Sequence, residues 1–168
     1  MIVSDAMTRE VHHCLVTDNL ERVAQLLWEH DVGALPVFAD FGRTVAMVTD
    51  RDVCMAAYIN GGRLRDLPVT LAASRHVYHV RPTDPIESVL TVMKMHRVRR
   101  VPVIDIGEHL DGIITIADIV KNVSASLDRS DPLHPEQVAR AFAEILRPHD
   151  FSRHPSREPA PVARVHNA

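Results

Sequence analysis

The sequence predicts a mixed α/β fold, of the α+β kind, in which one small β-α-β-β-α unit is used twice. Three observations predict it. First, a shift of 66 residues lays residues 3–53 on 69–119 without a gap, with 15 identities in 51 positions. Roughly one position in fifteen would match by chance at ordinary composition. Second, short β-rich runs and helical periodicity alternate in the same order in both copies. Third, hydrophobic content is 46% while aromatic content is only 4%, so the core is predicted to be aliphatic. A unit of ~50 residues is too small to bury both faces of its own sheet. Two copies packed sheet to sheet solve that problem.

The elements follow in order. His13-Cys-Leu-Val16 and Val77-Tyr-His-Val80 read as first strands. Each leads to an Asp with Glu three residues later, Asp18/Glu21 and Asp84/Glu87, which predicts a helix N-cap with a reciprocal carboxylate and Pro85 at the first helical position. Leu20, Val23, Ala24 and Leu27 then carry the apolar stripe of one helix, and Ile86, Val89, Leu90 and Met93 that of the other. His30 and His96 fall near the helix C-termini, where a protonated imidazole suits the dipole. Ala34–Phe38 and Arg100–Ile104 are the second strands, each with an internal proline. Turn-rich 39–43 and 105–109 lead to third strands at 44–48 and 110–114, and closing helices begin at Thr49 and Thr115. The organisation is therefore residues 1–64, residues 65–125, and a remainder from 126 to 168. In that remainder, 128–135 reads as a linker, 136–146 as a short helix with Val138, Phe142 and Ile145 on one face, and the rest as a proline-rich tail without regular structure.

Composition excludes several classes. A formal charge of −3 argues against a general nucleic-acid binder, which needs a basic surface. No apolar run approaches the ~20 residues of a membrane helix. The N-terminal residues lack the pattern of a signal peptide, so a cytoplasmic location is expected. Cys14 and Cys54 do not occupy equivalent repeat positions; they are expected to be thiols in a reducing compartment. Eleven histidines raise a metal hypothesis around His12, His13, His76 and His79. Their spacing matches no metal motif, so no metal site is expected. Neither a nucleophile motif nor a phosphate-binding glycine loop is present, and no enzyme activity is expected.

The strand-to-helix junctions carry the chemistry. They read Ala46-Met-Val-Thr49-Asp-Arg-Asp52 and Gly112-Ile-Ile-Thr115-Ile-Ala-Asp118. A Thr at a strand end and an Asp three residues on, in the first helical turn, face one side. The ionised carboxylate can accept hydrogen bonds from vicinal ribose hydroxyls, and the Thr hydroxyl can donate or accept. The same pair is equally a helix cap. On the residues alone the two readings stand nearly even.

These junctions, the doubled element order and the Pro-Val strands closely resemble the CBS (cystathionine β-synthase) domain family over residues 1 to about 125, in the form of a stand-alone bacterial pair. The resemblance implies a pseudo-twofold CBS pair with two clefts that take adenosine-containing ligands such as AMP, ADP, ATP or S-adenosylmethionine, with no cofactor required. It tips the Thr/Asp pairs towards nucleotide contact: Thr49 with Asp52, and Thr115 with Asp118, Ile113 belonging to the same signature. It places phosphate-contacting side chains at Arg99 and Arg100. At the matching positions of the first copy it implies backbone contact from Gly33, with Arg51 supplying charge. Two departures from the family pattern are Ala46 for the usual Gly and Ala117 where some relatives have Ser. The resemblance further implies a homodimer, a protein partner of unknown identity and a regulatory role. The alternative is a ligand-free stress-response adaptor or structural dimer.

Overall fold

In the computed structural model, residues 1–39, 42–125 and 135–147 are described. Strand β1 (Cys14–Leu15) precedes helix α1 (Leu20–Glu29), β2 (Ala34–Phe38), β3 (Thr44–Thr49) and α2 (Asp50–Asn60). The second copy gives α3 (Ile86–His96), β4 (Arg100–Ile104), β5 (Leu110–Thr115) and α4 (Ile116–Ala125), and α5 (Pro135–Ile145) follows. Single 3-10 turns lie at Val3–Asp5, Leu64–Asp66 and Val69–Leu71. The mixed α/β class is as predicted, and β2 and β4 have the predicted bounds.

The chain packs as two units. One joins Met1–Val11 and residues 42–44 to the described residues of 76–147; the other holds His12–Ala39 and Val45–Arg75. Packing units and sequence copies therefore differ. The leader of each copy serves the core of the other. In one unit the Val3 amide donates to the Asp84 carbonyl (2.9 Å) and the Thr8 amide to the Ile113 carbonyl (2.9 Å). In the other, Val69 donates to Asp18 (2.9 Å) and Ser74 to Met47 (2.8 Å). All four bonds superpose at the repeat offset.

Each unit has its own aliphatic core. One is built on Val3, Ile86, Val89, Met93, Val101, Val103, Ile114 and Ile119. The other is built on Leu20, Val23, Leu27, Leu35, Val37, Val48, Val53 and Val69. The first unit adds α5, whose buried Val138 and Ile145 join its core. A Lys94–Glu144 ion pair (2.8 Å) ties α3 to α5. The apolar stripe predicted for 136–146 is thus covered by the chain's own second copy. The linker 128–134 and the tail from 148 lie outside the described residues.

Two local expectations are corrected. Val77–Val80 forms no strand; only Val80 bridges, in parallel, to Val103. In the first copy Cys14 and Leu15 pair with Val37 and Phe38. Arg81 and Pro82 stand where copy one has Leu15 and Val16, and proline has no amide to extend the ladder. The second correction concerns capping. Asp18 and Asp84 do not cap helices: their carboxylates accept from the amides of Leu15 and Arg81 (2.8 Å each), closing tight turns. Asn19 caps α1 through the Arg22 amide (2.9 Å), and Pro85 is the N-cap of α3 rather than its first helical residue. A short carboxylate satisfies whichever amide the turn presents first.

The departure at Ala46 has a packing explanation. Its counterpart Gly112 lies so close to Met7 and the Thr8 backbone that a Cβ there would fall 2.7 Å from the Met7 sulfur. In copy one the residue equivalent to Met7 is Ala73, packed against the core that contains Ala46. Large beside small is replaced by small beside small, so the alanine fits.

Candidate functional site

Strand and helix meet without a loop at both junctions. Thr49 ends β3 in extended conformation (φ −119°, ψ 164°) and α2 starts at the next residue. The Asp52 carboxylate Oδ2 accepts from the Thr49 amide (2.9 Å) and hydroxyl (2.6 Å), while the Asp52 amide donates back to Thr49 Oγ1 (3.2 Å). Thr115 and Asp118 repeat this at 2.8, 2.6 and 3.2 Å. All four residues are half-buried.

In both junctions the Thr/Asp pair forms a helix cap. In each junction both carboxylate bonds go to Oδ2. The second oxygen, Oδ1, makes no hydrogen bond within the described residues and retains its acceptor capacity. The cap holds the side chain in one rotamer and leaves half of its carboxylate open. A cap and a ribose contact are therefore compatible in the same residue.

The remaining candidates gather around the same strand ends. Arg100 lies opposite Thr115 in the antiparallel β4–β5 ladder, and Ile113 lies opposite Pro102. The Arg99 carbonyl accepts from the Ile116 amide (3.1 Å). Arg99, Arg100, Ile113, Thr115 and Asp118 thus share one end of one sheet. In the first copy the Gly33 carbonyl accepts from the Asp50 amide (3.4 Å), which gathers Gly33, Thr49, Arg51 and Asp52 in the equivalent place. Arg51 and Arg99 are exposed and Arg100 is half-buried.

Several of the described histidines stack on other rings. His12 and His30 stack with ring centroids 3.5 Å apart, and the equivalent pair in the second copy is Tyr78 on His96 at 3.6 Å. His13 stacks on Phe38 at 4.2 Å. Among the described residues no group of three or more His, Cys, Asp or Glu side chains is placed to hold a metal ion. Cys14 and Cys54 are free thiols, one buried and one exposed. Burial, reinforced by the nearby Asp18 carboxylate, pushes the Cys14 thiol up to about 12. No helix among the described residues is long and apolar enough to cross a membrane.

The CBS-domain family profile matches residues 3–58 and 64–125. The chain is 39% identical over 107 residues to Hypoxic response protein 1 of Mycobacterium tuberculosis, an alignment covering 63% of this chain and 73% of that protein. Among solved structures it is similar to Hypoxic Response Protein I with two coordinated zinc ions, with TM-score 0.65 and 36% identity over 72% of this chain and 98% of that one. It is also similar to CBSX2 in complex with AMP, with TM-score 0.65 and 25% identity over 76% of this chain and 98% of that one. A CBS domain pair of the protein MJ0100, complexed with 5'-methylthioadenosine and S-adenosyl-L-methionine, matches in fold with TM-score 0.68 at 21% identity, over 75% of this chain and 98% of that one. CBS pairs are generally regulatory rather than catalytic. The profile match over most of the chain and the doubled α-β-β-α order establish that this chain belongs to the CBS-domain family, as a tandem CBS pair.

Proposed function

We propose that the protein is a non-catalytic regulatory module that binds an adenosine-containing ligand at its Thr/Asp junctions and passes its occupancy to a protein partner. The observation that carries this reading is the duplicated junction, in which Oδ1 of Asp52 and of Asp118 stays open beside a half-buried Thr. The second-copy junction is the stronger candidate, because Arg99 and Arg100 sit at the same strand ends and can neutralise a phosphate. Ile113 supplies an apolar contact, Gly33 a backbone contact in the first copy, and Arg51 the charge there. AMP in CBSX2 supports the ligand class. The relation to Hypoxic response protein 1 supports a stress-response setting.

The same reading includes a homodimer in the cytoplasm. Met55, Tyr58 and Ile59 on α2 and Val120 on α4 are exposed apolar side chains of the closing helices, the surface an association of two copies would cover. Sedimentation at micromolar concentration measures that state directly.

Calorimetric titration of nucleotide-stripped protein with AMP, ADP, ATP and S-adenosylmethionine tests the ligand. Micromolar binding that disappears in Asp118→Ala is the expected result. No heat with any of the four, on folded protein, replaces this reading with the ligand-free adaptor.

A further inference from the structure

Helix α5 lies beyond the residues matched by the CBS-domain profile, which end at 125, and it does more than cover the second-copy core. With α3 it walls an open cavity of about 440 Å³, lined by Thr91, Lys94, Met95, Arg97, Glu144 and Arg147. Thr91, Lys94 and Met95 are spaced by three and four residues, so they share one face of α3. Arg97 follows α3 in left-handed conformation (φ 54°). Three cations therefore line the cavity with one carboxylate. Lys94 is engaged, since its ammonium pairs with Glu144 at 2.8 Å. The guanidiniums of Arg97 and Arg147 make no hydrogen bond or ion pair within the described residues. Such cations also offset the negative C-terminal ends of the two helices, each equivalent to roughly half an elementary charge. The two helix ends and Glu144 then amount to about two negative charges against three positive ones, so about one positive charge is left uncompensated.

We infer that this α3–α5 cavity binds a small organic phosphate, its phosphate held by Arg97 and Arg147 and its organic part laid against Met95. A single carboxylate is saturated by the fork of one guanidinium, whereas a phosphate offers three oxygens and accepts from both at once. The volume lies within the range of about 300–1,000 Å³ found for small-molecule sites, more than an inorganic ion fills. Met95 is 71% exposed, an apolar thioether left in water that an organic group would cover. The site shares no residue with the Thr/Asp junctions and does not rest on the nucleotide reading. Because it spans two helices, its ligand binds only while α5 is docked, and so stabilises that docking by mass action.

Titrations of the full chain with phenyl phosphate, inorganic phosphate and benzoate test this, on the wild type, Arg97→Gly and Arg147→Gln. Both arginines are exposed, and glycine suits the left-handed backbone at 97; a thermal melt verifies that each variant folds. Phenyl phosphate is expected to bind the wild type at this site and to raise its melting temperature. Inorganic phosphate and benzoate are expected to bind about tenfold more weakly or worse. Each variant is expected to lose about tenfold or more in phenyl phosphate affinity, the ratio that one charge-assisted hydrogen bond supplies. No phenyl phosphate binding by folded wild type, equal affinity for benzoate or for inorganic phosphate, or unchanged affinity in either variant would overturn the inference. Phenyl phosphate carries no ribose, so the nucleotide reading stands or falls on its own titrations.

Discussion

Replacing Asp118 separates structural from ligand-binding duty within one side chain. Asp118→Ala removes two hydrogen bonds, from the Thr115 amide (2.8 Å) and hydroxyl (2.6 Å). The Thr115 hydroxyl still accepts from the residue-118 amide, and the junction is half-buried, so water reaches the freed amide. The Thr115 cap itself survives, and the two lost bonds are worth about 0.5–1 kcal/mol each where water replaces them, giving about 1–2 kcal/mol here. For a chain of this size that is a melting-temperature drop of roughly 2–8 °C. Asp52→Ala removes the equivalent bonds at 2.9 and 2.6 Å, so its stability loss should match within about 0.5 kcal/mol. The assay is a pair of measurements on each variant, scanning calorimetry and nucleotide titration. Equal stability losses with AMP binding lost only in Asp118→Ala are expected. Asp118→Asn keeps a carbonyl acceptor for the cap and loses the anion, so it should melt near the wild type and bind AMP about tenfold more weakly. If Asp118→Ala binds AMP as the wild type does, the open Oδ1 has no ligand role and the argument from the junction fails.

Other outcomes follow from the same structure. In native protein only Cys54 should react with an aromatic disulfide reagent, and Cys14 only after unfolding, because burial holds its thiol neutral. Since the Cys14 pKa is raised from 9.0 to about 12, the stability it contributes is complete below pH 9 and is lost as pH rises towards 12. A denaturation series over that window, run on wild type and Cys14→Ser, measures it. Gly112→Ala should destabilise by about 1–3 kcal/mol through overpacking against Met7 and the Thr8 carbonyl. Adding Met7→Ala should recover part of that loss in a double-mutant cycle, since it recreates the alanine pair of the first copy. Ile145→Ala should cost about 2–4 kcal/mol, read by urea denaturation, because the side chain is nearly fully buried in the unit's core. A loss under 0.5 kcal/mol would mean that α5 is not part of that core.

Much of the fold was legible because the signals were duplicated. A strand such as Ala34–Phe38 is short and ambiguous alone, yet Arg100–Ile104 repeats its Pro-Val core at the same offset, and the two support each other. Local chemistry was less legible. Asp18 and Asp84 carry a helix-start pattern, but the amides of Leu15 and Arg81 come within reach first, and that depends on how tightly the preceding turn closes. The Val77–Val80 run has strand-forming residues, yet Pro82 deprives its ladder of a donor two residues on. At the candidate site, the Thr/Asp pairs could be found from spacing. The occupation of the Arg51 amide by Asp50 could not, because an aspartate in a first helical turn reads simply as a favourable dipole contact.

The exchange of leaders was invisible to sequence for a reason the repeat itself supplies. Val3 and Val69 are identical, as are Ala6 and Ala72, and Thr8 is matched by Ser74. Each leader therefore offers either core the same buried valine and the same backbone bonds, so these positions do not choose between them; Met7, which fits beside Gly112 and not beside an alanine, does. The chain's connectivity acts in the same direction. A leader joined directly to its own first strand would have to reverse within a few residues to reach its own α-helix start. The segment after α2 instead passes through the turn at Leu64–Asp66, and the Leu67 carbonyl accepts from the Leu20 amide at 2.8 Å. In the first unit's counterpart the Met1 carbonyl accepts from Ile86 at 3.3 Å. Each core is consequently completed by residues belonging to the other copy, so neither sequence repeat holds all of its own packing partners. A segment cut at the repeat boundary, 1–64 or 65–125, lacks the leader that fills its core.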